Sequence, residues 1–250
     1  MSGGAGDRTR DRDRTRDRDR TRDRDRDRAP RIALISATPT AVGPAVAGLA
    51  EEFPAAEPWN LLDDRLLTDA PDHGPLPPRL VDRMHRLIGH ALAGGADGVL
   101  LTCSLYGTAV SGIETPVPLL APDTAAFARA LELSQGGGSV LVLASFEAAL
   151  RDAESRFSAA VAAAGSAAEP VGVVAPGAFE AARREDPAAL FDALRNACAP
   201  HSAGAGVVLL AQYSLAPAAA RLSTALGLPV VSGPRAAAAA LRSALTGRPV

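Results

Sequence analysis

One thiol, Cys103, closes the apolar run Gly98–Thr102 and is followed directly by Ser104. A cysteine placed where a strand hands over to a helix meets the positive end of the helix dipole. Unpaired amides there stabilise a thiolate and can hold a substrate carboxylate. Cys103 is therefore the candidate for proton transfer or nucleophilic chemistry. The other apolar runs end mostly in hydroxyls and amides: Ser36-Ala37-Thr38-Pro39-Thr40, Ala144-Ser145-Phe146 and Gln212-Tyr213-Ser214. The second cysteine, Cys198, lies late in the helical run LFDALRNAC, away from any strand end. It reads as a small buried hydrophobe.

Several chemistries are excluded or weak. All 26 basic residues are Arg, and a chain without Lys has no internal Schiff base, P-loop lysine or Ser–Lys dyad. His85 and His90 are five apart on one helix, about 140° around it, which is poor geometry for a shared metal. His73 and His201 are isolated in loops, so no metal site is expected. Asp63 and Asp64 follow a strand and read as turn or capping groups rather than ligands for a cation. The glycine run 136–138 precedes its strand, whereas a phosphate cradle needs glycines between strand and helix.

The elements that position these residues follow from periodicity. Strands are expected at 31–37, 57–61, 98–102, 117–119, 139–144, 171–175, 207–211 and 230–231. Amphipathic helices are expected near 42–52, 78–94, 124–134, 146–164, 187–197, 217–226 and 235–245. Continuous apolar strands alternating with helices predict an α/β chain with parallel, doubly wound sheets. The halves also repeat: RIALISAT from Arg31 aligns with SVLVLASF from Ser139, and GADGVLLTCS from Gly95 with GAGVVLLAQY from Gly204. Two similar lobes are expected, 31–121 and 122–231, with the last helix in 232–250 packing back on the first lobe. A cleft is expected between the carboxyl ends of their strands, where open parallel sheets bind ligands.

Residues 1–30 stand apart. From Asp7 to Arg28 the chain holds 11 Arg, 8 Asp and 3 Thr, with no apolar side chain to bury. Such a segment is expected to be disordered. Its interleaved carboxylates offset the phosphate attraction of the arginines, and the rest of the chain carries a net charge of −5. Low aromatic content points the same way, so neither a nucleic-acid partner nor a membrane is expected. Two cysteines in unlike contexts give no disulfide framework, which predicts a reducing cytoplasm. A homo-oligomer is left open.

The two half-repeats, LLTCS ending a strand in the first lobe and LLAQYS in the equivalent place of the second, resemble the Asp/Glu/hydantoin racemase superfamily over residues 31–250. The resemblance implies cofactor-free chemistry at the carbon beside a carboxylate of a small amino-acid-like substrate. In such racemases two cysteines flank the substrate, and Cys103 matches the first. Thr38, Ser104 and Ser214 match groups that grip the carboxylate, with Ser145, Gln212 and Tyr213 at the neighbouring strand ends. The second cysteine is replaced by Gln212-Tyr213-Ser214, and a glutamine amide is neither acid nor base near neutral pH. The expectation is thus α-carbon proton transfer by a single thiol. The alternatives are a true racemase using Tyr213 or water, a one-cysteine decarboxylase or cis–trans isomerase, and a non-catalytic binder of small anions. The enzymatic readings all need an enediolate-like anion stabilised by fixed amides and hydroxyls, and the scarcity of arginine near the strand ends predicts neutral donors.

Overall fold

Eight apolar runs become eight strands, sorted into two parallel sheets. The computed structural model describes residues 28–71, 76–110, 112–135 and 138–247. The expectations for the Arg/Asp run before Arg28, for His73 and for Gly136 and Gly137 lie outside the described residues. The first sheet has the order β2-β1-β3-β4, formed by β1 (Arg31–Ser36), β2 (Glu57–Leu62), β3 (Gly98–Leu101) and β4 (Leu119–Leu120). The second repeats it as β6-β5-β7-β8, with β5 (Ser139–Ala144), β6 (Pro170–Val174), β7 (Ala205–Leu210) and β8 (Val230–Ser232). The repeat seen in the sequence is therefore a repeat of topology.

Nine α-helices are described: α1 (Val42–Glu52), α2 (Arg65–Thr68), α3 (Pro78–Ala93), α4 (Thr124–Ser134), α5 (Glu147–Ala163), α6 (Ala178–Arg183), α7 (Pro187–Cys198), α8 (Ala219–Leu226) and α9 (Gly233–Thr246). The short α2 and α6 have no counterpart among the expected helices. Cys103 is followed not by an α-helix, as its spacing suggests, but by a 3-10 segment, Ser104–Val110. A second 3-10 segment, Tyr213–Ala218, follows β7 at the matching place.

Strand alternation divides the core. In β1, Ile32 and Leu34 face one side with Leu100, while Ala33 and Ile35 face the other with Val99 and Leu101. All are buried, as in a sheet covered on both faces. Helix α4 leaves the first sheet and packs on β7, and α9 leaves the second and packs on α1. The α1–α9 approach is close because Gly48 has no side chain: a Cβ there would lie 2.7 Å from the Pro234 carbonyl carbon. Tyr213, from the second half, is buried in the same cluster as Ile32, Leu34 and Leu241. The two halves thus share a core as well as a boundary.

Candidate functional site

The carboxyl end of β3 turns sharply because the chain passes from extended strand into the 3-10 segment. Cys103 sits at that turn, half-buried against the cluster containing Ala37, Leu101 and Tyr106. The backbone amides of Leu105 and Tyr106 favour the thiolate, although the Tyr106 N–H itself donates to the Cys103 carbonyl at 3.0 Å. Burial outweighs them, and the negative charge of Asp123 adds to it, so the thiol is pushed up from 9.0 to about 11. The helix terminus expected from the sequence to favour the thiolate is here a 3-10 segment, and the balance at Cys103 lies toward the neutral thiol. Cys198 is fully buried, and burial alone pushes its thiol up to about 11.

Beneath the turn, the Ser36 and Thr102 hydroxyls pair at 2.8 Å, joining β1 to β3. Both are buried and hold the strand ends in register. Two further contacts fix the segment after Cys103. Tyr106 donates its hydroxyl to the Leu66 carbonyl at 2.8 Å, and His85 Nε2 lies 2.9 Å from the Ala109 carbonyl. Asp63 is engaged by Arg83 at 2.7 Å, so it is a structural ion-pair partner. Asp64 stands at the N-terminus of α2 without a capping bond from its side chain. His90 lies against the Trp59 ring, 5.6 Å between centroids, and His201 is exposed.

The remaining candidates divide by what already occupies their polar atoms. Ser104 Oγ lies 3.2 Å from Asp123 Oδ1 and 3.4 Å from the Ala211 carbonyl at the end of β7. Gln212 Oε1 accepts from both the backbone N–H and the Oγ of Ser145, at 2.7 and 2.9 Å. Tyr213 donates its hydroxyl to the Pro122 carbonyl at 3.4 Å. Burial first, and the charge of Asp123 second, push its phenol well above the ordinary value. Thr38 Oγ1 lies 3.1 Å from Thr40 Oγ1 and is half-buried. Ser214 is half-buried and makes no side-chain hydrogen bond among the described residues. The 3-10 turn Pro39–Ala41 packs on the segment Tyr213–Ala218, so Thr38 and Ser214 flank a shared boundary.

Two residues missed by the sequence reading stand in this cluster. Asp123, buried, pairs with Arg156 of α5, which also holds Asp152 at 2.9 Å. Burial pushes the Asp123 carboxyl up, while Arg156 and the Ser104 hydroxyl favour its ionised form. Against the cost of its own burial, Asp123 and Asp152 hold Arg156 above its ordinary value. One guanidinium thus stands in this cluster, neutralised by its two carboxylates. A groove of about 700 Å³ runs past the pair, lined also by Gly107, Thr108 and Phe127. Among the described residues, no group of three or more His, Cys, Asp or Glu side chains is placed to hold a metal ion. No described helix is long and apolar enough to cross a membrane.

Comparison with known proteins agrees with this fold. A sequence model of the Asp/Glu/hydantoin racemase family matches residues 52–241. No curated protein matches the chain significantly. Among solved structures, an aspartate racemase from Picrophilus torridus is similar at 12% identity and a TM-score of 0.67, covering 87% of this chain and 94% of the other. A glutamate racemase from Bacillus anthracis gives 12% identity and a TM-score of 0.63, covering 88% and 83%. A mutant of arylmalonate decarboxylase gives 22% identity and a TM-score of 0.55, covering 85% and 93%.

Proposed function

Because the chain belongs to the Asp/Glu/hydantoin racemase family, we propose that it moves a proton at the α-carbon of a small carboxylate, without a cofactor, using Cys103 as its single thiol. The observation that carries this reading is the place of that sulfur: Cys103 is half-buried at the turn that ends β3, with Gln212 in the equivalent place of the second half. Burial pushes its thiol up to about 11, which favours the protonated form. Such a group is suited to give a proton. The enediolate-like anion forms when the α-carbon loses carbon dioxide or gives its proton to the Cys103 thiolate, the bonding pair staying on the substrate. The S–H bond of Cys103 then breaks, its proton goes to that carbon, and the sulfur is left as thiolate. Solvent then returns the proton. Ser214, and Thr38 whose hydroxyl meets only that of Thr40, are the hydroxyls we assign to the substrate carboxylate, since Ser104 is held by Asp123 and the Ala211 carbonyl, and Ser145 and Gln212 by each other.

The second half supports a one-sided reaction. Gln212 takes the place equivalent to Cys103, and its carbonyl is committed to Ser145. Tyr213 is a poor base: its phenol is buried, donates to Pro122 and is pushed upward. One-sided protonation suits decarboxylation or stereospecific exchange better than racemisation.

Proton NMR in heavy water tests this, with a panel of amino acids, hydroxy acids and substituted malonates. Deuterium at the α-carbon with configuration kept, or a decarboxylated product, abolished in Cys103→Ala, is the expected result. Exchange with inversion identifies a two-sided racemase instead. No turnover on any substrate, with ligand affinity unchanged in Cys103→Ala, identifies a binding protein.

A further inference from the structure

Asp123 is the last residue before α4, where an aspartate ordinarily caps the helix with its side chain. Here the side chain makes no capping bond. It turns instead to Arg156 on one side and to the Ser104 hydroxyl, at 3.2 Å, on the other. Ser104 is the residue next to Cys103, and its Oγ also reaches the Ala211 carbonyl. Giving up a cap to hold a buried ion pair has a cost, since a side-chain cap stabilises a helix start and a buried pair is often no better than apolar packing. Charge placement is what the arrangement gains.

We infer that Asp123 is a positioning residue for Cys103: through Ser104 it fixes the turn that carries the thiol, and with Arg156 it sets the charge beside the sulfur. The inference rests on Cys103 being the proton-carrying group. The charged or titratable groups acting on this thiol are Asp123, Arg156 and Tyr106. Asp123 disfavours the thiolate and Arg156 favours it, so the pair works as an opposed couple whose balance the carboxylate controls. Removing the carboxylate charge alone leaves the guanidinium to act on the thiol unopposed by Asp123. The thiol then ionises more readily, which turns a proton donor into a better base.

Alkylation by iodoacetamide, followed as a function of pH by mass spectrometry of the Cys103 peptide, reads this without any substrate. In Asp123→Asn the midpoint of the Cys103 profile falls by about one pH unit, and the rate at pH 8 rises several-fold, on the order expected for removing one close like charge. Asp123→Glu, which keeps the charge, restores the original midpoint. An Asp123→Asn protein that folds, by circular dichroism, with an unshifted midpoint overturns the inference. If that variant does not fold, Ser104→Ala decides. That change frees the turn, so Cys103 is alkylated faster at every pH with its midpoint kept, and an unchanged rate overturns the link through Ser104. A shifted thiol in a protein that exchanges no substrate proton sinks the proposed function and leaves the role of Asp123 standing.

Discussion

Ser104 Oγ reaches the Ala211 carbonyl at 3.4 Å, so the turn that carries Cys103 is tied to the strand that leads into Gln212. Tyr213 adds a bond to Pro122, where the chain crosses from the first half into the second. The thiol is thus held at a boundary stitched from both sides, and several consequences can be measured.

Tyr213→Phe isolates the weaker stitch. The bond to Pro122 is long, and the ring, buried with Ile32 and Leu34, is unchanged by the substitution. The cost in stability is expected to be about 1 kcal/mol or less. Proton exchange is expected to stay within about threefold of the parent, because the phenol is buried and its proton is committed to the Pro122 carbonyl. A loss of a hundredfold would restore Tyr213 as the second acid.

Gln212→Ala removes the acceptor for two donors of buried Ser145. One is a backbone N–H with no other hydrogen-bond partner described, so the expected loss is about 1–3 kcal/mol in urea unfolding. Gln212→Glu keeps an acceptor oxygen and is expected to recover most of it at neutral pH. Equal loss in both variants would mean that shape, and not the hydrogen bonds, matters at this position.

Much of this was legible in the sequence. The central strands β1, β3, β5 and β7 stand where the apolar runs are, because a strand buried on both faces needs no alternation to reveal it. The half-repeat and the strand-end place of Cys103 needed only spacing. The residues that escaped are instructive. Asp123 before α4 looks like a helix cap, and Arg156 looks like one more charged residue on an Ala-rich helix. Their meeting depends on the path of α4 to the second sheet, and no local pattern encodes that path. Helix α6 was missed for a different reason: six residues after a left-handed Gly177 are too few to show a period. The occupied hydroxyls of Ser104 and Ser145 were likewise invisible, since partners 107 and 67 residues away are set by the sheets.

Gly48→Ala tests the α1–α9 contact. The added Cβ would lie 2.7 Å from the Pro234 carbonyl carbon and 2.8 Å from its Cβ, so the helices must part. Such overpacking costs about 1–3 kcal/mol. Gly89→Ala in α3 is the control, because a Cβ there meets nothing within 4 Å. It is expected to stabilise by about 0.5–1 kcal/mol through helix propensity. The two substitutions should therefore move the urea midpoint in opposite directions, and movement in the same direction would refute the packing argument.

The raised thiols make stability fall in alkali. In the unfolded chain both cysteines lose their protons near 9.0, whereas in the fold Cys103 and Cys198 keep them until about 11. Below the lower value the two states bind the same protons, and the thiols add no pH dependence. Between the two values the folded protein holds protons that the unfolded chain has released. Stability therefore drops as pH rises, by about 1.4 kcal/mol per unit for each thiol. Tyr106, pushed from 10.0 to about 12 chiefly by burial, extends the decline upward. Urea unfolding in steps from about pH 8 to about pH 11 reads the slope directly. Cys103→Ala should make it shallower by one thiol's share while leaving the neutral-pH fold intact. A slope identical to that of the parent would mean that the sulfur ionises in the fold as it does in water, and with it would go the neutral proton donor on which the proposed reaction depends.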